Sequence, residues 1–114
     1  MIVLKFGGTS VENAEKIDRV LDIAPSQIDK SLVLISSATG KTTNIIEEII
    51  TNAVEGNKER AFHLTDQIRD FHLNIIEQFL SGGILESTHG DILELISQFS
   101  SLVKGLTLLH ECSP

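Results

Sequence analysis

Two short segments combine glycine, lysine and hydroxyl side chains in a pattern suited to phosphate. The first is KFGGTS, Lys5 to Ser10, whose paired glycines could turn their N–H groups inward as an anion-binding nest beside the ammonium of Lys5. The second is ISSATGKTTN, Ile35 to Asn44, in which Gly40 lets the backbone approach a ligand closely. Its polar groups are five hydroxyls and one amide, from Ser36, Ser37, Thr39, Thr42, Thr43 and Asn44. One segment could hold phosphate while the other holds a hydroxyl- or amine-bearing substrate.

The second segment partly matches a P-loop, because Gly-Lys-Thr lies between an apolar run and a helical pattern. A P-loop needs glycine, or a residue nearly as small, five positions before its Gly-Lys pair, and that position is Ile35. A Walker B strand ending in Asp is also absent from the sequence. We therefore interpret the segment as a ligand loop of another kind, with a hydroxyl-rich, N-capped turn as the alternative.

Both segments follow predicted strands. Met1–Phe6 and Leu32–Ile35 are short, apolar and rich in branched side chains, as in strands buried in a parallel sheet. Ligands of open α/β sheets bind at the carboxyl ends of parallel strands, so the Lys5 loop and the Ser36–Asn44 loop are expected to face each other. The alternative for the first loop is a glycine-rich turn with Lys5 in solvent.

Helical patterns fill the rest of the chain. A first helix is expected to be capped by Asn13 and ended by Pro25. Thr43 or Asn44 is expected to cap a second helix, which Gly56 closes. Longer patterns predict a helix over Lys58–Leu80 and another from about His89 to Lys104, which Gly105 ends or bends. Because two strands cannot cover so many amphipathic helices, we expect the front part of a larger α/β domain.

Composition narrows the possible functions. The net charge of −7 and pI near 4.9 argue against a nucleic-acid partner. No uninterrupted apolar run approaches the roughly 18 residues of a membrane span, so no membrane partner is expected. The single cysteine, Cys112, rules out an internal disulfide framework and fits a reducing cytoplasm. The histidines show no zinc-binding spacing, and no metal ligand is predicted.

Three stretches together resemble the aspartokinases: KFGGTSV near the start, LVLISSATGKTTN, and LVKGLTLLHECSP at the end. The resemblance covers essentially the whole chain, with its most specific motifs at the front. It implies the three-layer α/β/α amino acid kinase fold, also called carbamate kinase-like. Residues 1–114 would form the N-terminal part of that catalytic domain, with a short parallel sheet and several long helices.

The resemblance also implies an activity: phosphorylation of the side-chain carboxylate of L-aspartate by ATP with Mg²⁺, giving 4-phospho-L-aspartate for lysine, threonine and methionine biosynthesis. Lys5 would be catalytic, stabilising charge on the transferred phosphoryl group. Phe6, Gly7, Gly8, Thr9 and Ser10 would form the surrounding phosphate loop with it, and Ser36, Thr43 and Asn44 would lie toward aspartate. A carboxylate is already ionised near neutral pH, so no general base is required.

Family members continue into a Gly-Glu motif, an ATP-binding half and ACT regulatory domains, which do not occur in these 114 residues. The chain alone is therefore expected to be inactive, and to self-associate through an unpaired sheet edge. The parent enzyme is expected to be a cytoplasmic homo-oligomer.

Two other functions compete with this one. One is another amino acid kinase, which would act on glutamate or belong to the uridylate kinase relatives. The segments GTSV (residues 8–11) and TTN (residues 42–44) argue against it. A non-catalytic helical interaction module would instead bind partners through Lys58–Leu80.

Overall fold

The computed structural model describes residues 1–110 in two compact units, Met1–Thr42 and Thr43 onward. Cys112 and the last part of LVKGLTLLHECSP lie outside the described residues. The elements are two strands and four α-helices, with two short 3₁₀ helices in the first unit. In chain order they are β1 (Ile2–Phe6), α1 (Ala14–Ile23), β2 (Leu32–Ser36), α2 (Thr42–Val54), α3 (Lys58–Phe79) and α4 (Gly82–Leu109).

The first unit is built around a two-stranded parallel sheet, as the sequence predicts, but β2 is not buried as predicted, since Val33, Leu34 and Ile35 are 43–48% exposed. β1 pairs with β2 in a register that runs from Ile2 opposite Leu32 to Phe6 opposite Ser36. The connection passes through the 3₁₀ helix Gly8–Val11, then α1, then the 3₁₀ helix Ala24–Lys30. It is a β-α-β crossover, the connection that parallel strands require.

Helix α1 begins and ends where local chemistry dictates. The Asn13 side chain accepts a 3.0 Å hydrogen bond from the backbone N–H of Lys16, which confirms the predicted N-cap. The helix ends at Ile23, two residues before Pro25, and the chain continues as the 3₁₀ helix. Val20 on the inner face of α1 is buried in this unit.

Helices α2, α3 and α4 form the second unit around a continuous apolar core. Ile49 of α2 and Val103 of α4 are fully buried in it. The other buried members are Ala53, Ala61, Leu64 and Ile68, mostly from α3. The first half of α3 thus packs inside the protein, whereas Phe71 on the predicted apolar stripe is 38% exposed.

Three predicted helix ends differ from the structure. α2 begins at Thr42, so Thr43 and Asn44 lie inside its first turn and do not cap it. α4 begins at Gly82, about seven residues before the predicted start, and it runs through Gly105 to Leu109. A glycine inside a helix costs only about 1 kcal/mol, which apolar packing along so long a helix offsets.

Helix α4 is apolar on two faces. One face packs Ile96, Phe99 and Val103 into the core, whereas Leu95 and Leu102 are exposed by 64% and 69%. As a result α4 is long and apolar enough to cross a membrane by length and composition alone, although the sequence has no uninterrupted apolar run of that length. A single helix of this kind is weak evidence for a membrane, because buried core helices and signal sequences pass the same test.

Candidate functional site

The predicted phosphate loop and the start of the second loop lie side by side at one edge of the sheet. Lys5 is opposite Ile35, and Phe6 is opposite Ser36, at the carboxyl ends of β1 and β2. The backbone N–H of Ser37 then donates a 3.0 Å hydrogen bond to the carbonyl of Phe6. The pairing therefore continues to the point where both loops leave the sheet, the edge at which α/β proteins bind ligands.

Lys5 is exposed and makes no ion pair within residues 1–110. Two other cations of the first unit are already paired one helical turn apart, Lys16 with Glu12 and Arg19 with Glu15. The ammonium of Lys5 is thus available to an incoming anion, and no carboxylate of the described chain competes for it.

Gly7 and Gly8 do not form the predicted anion nest. A nest alternates right- and left-handed residues, whereas Gly7 is extended (φ −75°, ψ 175°) and Gly8 does not have a positive φ. The carbonyl of Gly7 instead accepts a 3.0 Å hydrogen bond from the N–H of Ser10, which starts the 3₁₀ helix. The hydrogen bond between Ser10 and Gly7 forms without any residue in the left-handed conformation.

The two glycines nevertheless leave open space beside Lys5. A Cβ atom added to Gly7 would meet nothing within 4 Å, and one added to Gly8 would meet only the Gly40 carbonyl oxygen, at 3.9 Å. Neither backbone conformation nor internal packing therefore requires glycine here. The surface that a methyl group would cover is free for a ligand such as phosphate.

The predicted substrate residues are exposed but belong to different units. Ser36 ends β2, and its hydroxyl donates a 3.1 Å hydrogen bond to the Ser37 carbonyl. Thr43 and Asn44 lie in the first turn of α2, in the second unit, and their side chains make no hydrogen bond to the rest of the described chain. Their polar groups are accessible to a ligand, and their role in binding aspartate stays a prediction.

Gly40 has a backbone conformation that favours glycine, a reason for glycine that differs from the close ligand approach predicted from the sequence. Its φ of +60° lies in the left-handed region, which other residues adopt only at a cost. Its carbonyl oxygen is the group nearest to the missing side chain of Gly8. The two loops therefore also approach each other where both carry glycine.

Thr42 is a residue of this loop to which sequence reasoning gave no individual role. It is only 9% exposed, and its hydroxyl and N–H are both directed to the carbonyl of Thr39, at 2.5 and 3.3 Å. The signal that could have found it is a threonine three residues after another threonine at the start of a helix, the spacing of a local side-chain-to-backbone hydrogen bond.

A cavity of about 300 Å³ lies beside the phosphate loop within the first unit. Phe6, Thr9 and Ser10 line it on one side, and Lys16, Arg19, Val20 and Ile23 of α1 line it on the other. Because Lys16 and Arg19 are each paired with a glutamate, the cavity is a weaker candidate site for an anion than the unpaired ammonium of Lys5. Lys5 is not among its lining residues.

Charge is distributed unevenly between the two units. Residues 1–42 carry five basic and five acidic side chains, whereas residues 43–114 carry four basic and eleven acidic ones. The whole net charge of −7 thus comes from the second unit. The first unit, which contains Lys5 and has no net charge, therefore repels an anionic ligand less than the acidic second unit does.

Residues 1–110 contain no group of three or more histidine, cysteine, aspartate or glutamate side chains that could hold a metal ion. Because Mg²⁺ is often held by only one or two carboxylates together with substrate phosphates, this finding assigns none of the described residues to it. The exposed ammonium of Lys5 is suited to an anion.

Comparison with known proteins places these features in a family. Residues 1–104 match the model of the amino acid kinase family. Similar proteins include the bifunctional aspartokinase/homoserine dehydrogenase of Buchnera aphidicola, 33% identical over 121 residues, and the chloroplastic aspartokinase 2 of Arabidopsis thaliana, 33% identical over 113. The lysine-sensitive aspartokinase 3 of Escherichia coli is 29% identical over 97 residues.

These matches cover most of this chain but little of the relatives. They span 98%, 93% and 85% of the chain, and 14%, 20% and 21% of the respective relatives. The chain thus spans about a fifth or less of the length of the curated relatives that it matches.

Proposed function

Since the chain belongs to the amino acid kinase family, we propose that it forms the N-terminal part of the catalytic domain of an aspartate kinase. Its short parallel sheet with four helices is consistent with an incomplete α/β fold of that family. Several relatives that match across most of the chain are named aspartokinases, which supports the choice of aspartate as the acceptor.

The proposed reaction transfers the γ-phosphoryl group of ATP to the side-chain carboxylate of L-aspartate. A carboxylate oxygen forms the new P–O bond, the bond to the ADP leaving group breaks, and 4-phospho-L-aspartate and ADP result. The acceptor, with an ordinary pKa near 3.9, is already ionised at neutral pH, so no base has to remove a proton. The protein's task is to align two anions and to compensate negative charge.

One observation carries the assignment of the phosphate site. Lys5, without an ion-pair partner in the described chain, is the next-to-last residue of β1, and the strand leads into two glycines over which a methyl group would meet almost nothing. The ammonium would compensate charge on the transferred phosphoryl group. Phe6, Gly7, Gly8, Thr9 and Ser10 would border the phosphates, with the open surface of the glycines allowing close approach.

Ser36, Thr43 and Asn44 would contact aspartate. Their hydroxyl and amide groups can donate to a carboxylate or accept from the amino group of the substrate. Mg²⁺ would compensate the phosphate charges when bound, and we assign none of residues 1–110 to the metal.

The test is acceptor specificity, measured on the protein expressed from its complete reading frame. With ATP, L-aspartate should give a product that hydroxylamine traps as the hydroxamate, whereas L-glutamate and UMP should give at most trace turnover. Preference for glutamate or UMP would replace the proposal by the other amino acid kinase function. The 114-residue chain alone should form no hydroxamate.

The wider setting follows from the same proposal. The product would feed lysine, threonine and methionine synthesis in the cytoplasm, and the whole enzyme would be a homo-oligomer. Neither a nucleic acid nor a membrane is a proposed partner. The acidic net charge supports the first exclusion.

A further inference from the structure

Thr42 is the only buried residue of the loop from Ser36 to Asn44. Its hydroxyl donates to the carbonyl of Thr39 at 2.5 Å, and its N–H points to the same oxygen at 3.3 Å. These bonds close a turn of four residues. The buried Thr42 therefore stabilises the loop conformation, and its hydroxyl is not free to bind a ligand.

The turn that Thr42 closes contains Gly40 in the left-handed conformation. The Gly40 carbonyl oxygen in turn faces Gly8, 3.9 Å from the point where a Cβ atom would be. A shift of the turn would move this oxygen against the phosphate loop, or away from it. The Thr42 hydroxyl is thus linked to the proposed phosphate site indirectly: it closes the turn that contains Gly40, and the Gly40 carbonyl lies next to Gly8.

We propose that Thr42 is a positioning residue, which fixes the Ser36–Thr42 loop and sets the distance of its Gly40 carbonyl from Gly8. The role in catalysis rests on the proposed aspartate kinase function. The role in loop geometry does not, so the two can be tested separately.

The geometric part is tested on the 114-residue chain by ¹H–¹⁵N NMR. Thr42→Val removes the hydroxyl and keeps the shape, and it should shift the amide resonances of Gly40 and Gly8. Thr51→Val, the same change at an exposed position of α2, should leave both resonances in place. An unchanged Gly8 resonance in Thr42→Val would overturn the inference, whether or not the enzyme phosphorylates aspartate.

The catalytic part is tested on the protein from the complete reading frame. Thr42→Val should raise the KM for ATP about three- to tenfold, the loss expected for one buried hydrogen bond. Thr42→Ser, which keeps the hydroxyl, should restore the wild-type KM. A lower kcat at unchanged KM, or a serine variant as impaired as the valine variant, would reduce Thr42 to an ordinary structural residue and overturn the proposal.

A second variant keeps the proposal testable if Thr42→Val does not fold. Gly40→Ala strains the same turn without changing the Thr42 side chain, and it should likewise raise the KM for ATP and shift the Gly8 resonance. Wild-type behaviour of Gly40→Ala in both measurements would overturn the inference. A wild-type protein without aspartate kinase activity would contradict the proposed function alone, since the NMR comparison would still decide the role of Thr42.

Discussion

The backbone N–H of Ser37 donates a 3.0 Å hydrogen bond to the carbonyl of Phe6, one residue beyond the end of β2. This bond extends the parallel pairing to the last residue before the glycines of the first loop. It fixes where the first loop and the start of the second leave the sheet. The side-by-side arrangement of Lys5 and Ile35 follows from that register.

Alanine at Gly7 or Gly8 should separate ligand binding from folding. Both backbones are open to any residue and a methyl group fits, so the free energy of unfolding should stay the same or rise by up to about 1 kcal/mol. The methyl group would cover the proposed phosphate surface, and the KM for ATP should rise about tenfold, the equivalent of about 1.4 kcal/mol. Urea unfolding of the 114-residue chain and steady-state kinetics of the complete protein measure the two effects.

Gly40→Ala is the matched comparison for those two variants. Its φ of +60° makes alanine strained, so unfolding should become easier by about 1–2 kcal/mol. If Gly8→Ala destabilised the chain as much as Gly40→Ala does, glycine at position 8 would have a folding role and the open-surface argument would be wrong.

The end of α2 is held to the end of α4 by His110. Its Nδ1 lies 3.1 Å from the carbonyl oxygen of Val54, which requires the proton on Nδ1. His110→Ala should lower the unfolding free energy of the chain by about 0.5–1.5 kcal/mol because the bond is lost. His63→Ala, at an exposed histidine of α3, should change it by less than about 0.5 kcal/mol. Equal effects would mean that the bond to Val54 contributes no stability.

Gly56 and His110 should be energetically coupled. Gly56 has a φ of +83°, and a Cβ atom there would lie 2.9 Å from Cε1 of His110. Gly56→Ala should therefore cost more than the roughly 1–2 kcal/mol of left-handed strain alone. In a double-mutant cycle, Gly56→Ala with His110→Ala should cost less than the sum of the single changes, because removing the imidazole removes the clash. Strict additivity would contradict the contact.

Self-association of the 114-residue chain should depend on the sheet edge. Val33 of β2 and Leu95 of α4 are both exposed apolar residues. A lysine on an edge strand disfavours edge-to-edge pairing, so Val33→Lys should lower the mass measured by light scattering at high concentration. Leu95→Lys is the matched change on α4. If only Leu95→Lys dispersed the chain, α4 and not the sheet would be the contact.

The sequence was sufficient to predict the strands, their parallel pairing and the placement of Lys5 at the carboxyl edge. These features follow from short apolar runs joined by a helical pattern, which is a strong local signal. Asn13 and Gly56 also lie where the sequence predicts, because a cap and a left-handed C-terminal glycine are determined by a few neighbouring residues.

Other features depend on choices between similar local interactions. Thr42, Thr43 and Asn44 are adjacent and can all cap a helix, so sequence alone could not show that Thr42 begins it. The Gly7–Gly8 pair is compatible with a nest and with the turn into a 3₁₀ helix. Packing of α4 against the core outweighs the glycines at its start and at Gly105, a tertiary effect that local propensity does not report.

The most direct test of the account is phosphoryl transfer by Lys5→Met, measured by ³¹P NMR on the complete protein with ATP and L-aspartate. Lys5 is exposed and without an ion pair in the described chain, so stability should change by less than about 0.5 kcal/mol. Lys30→Met, a matched change at another lysine of the first unit, is the control. We predict an acyl phosphate signal for wild type and Lys30→Met, and a rate lower by about 10²–10³ for Lys5→Met. Wild-type transfer by Lys5→Met would contradict the central claim.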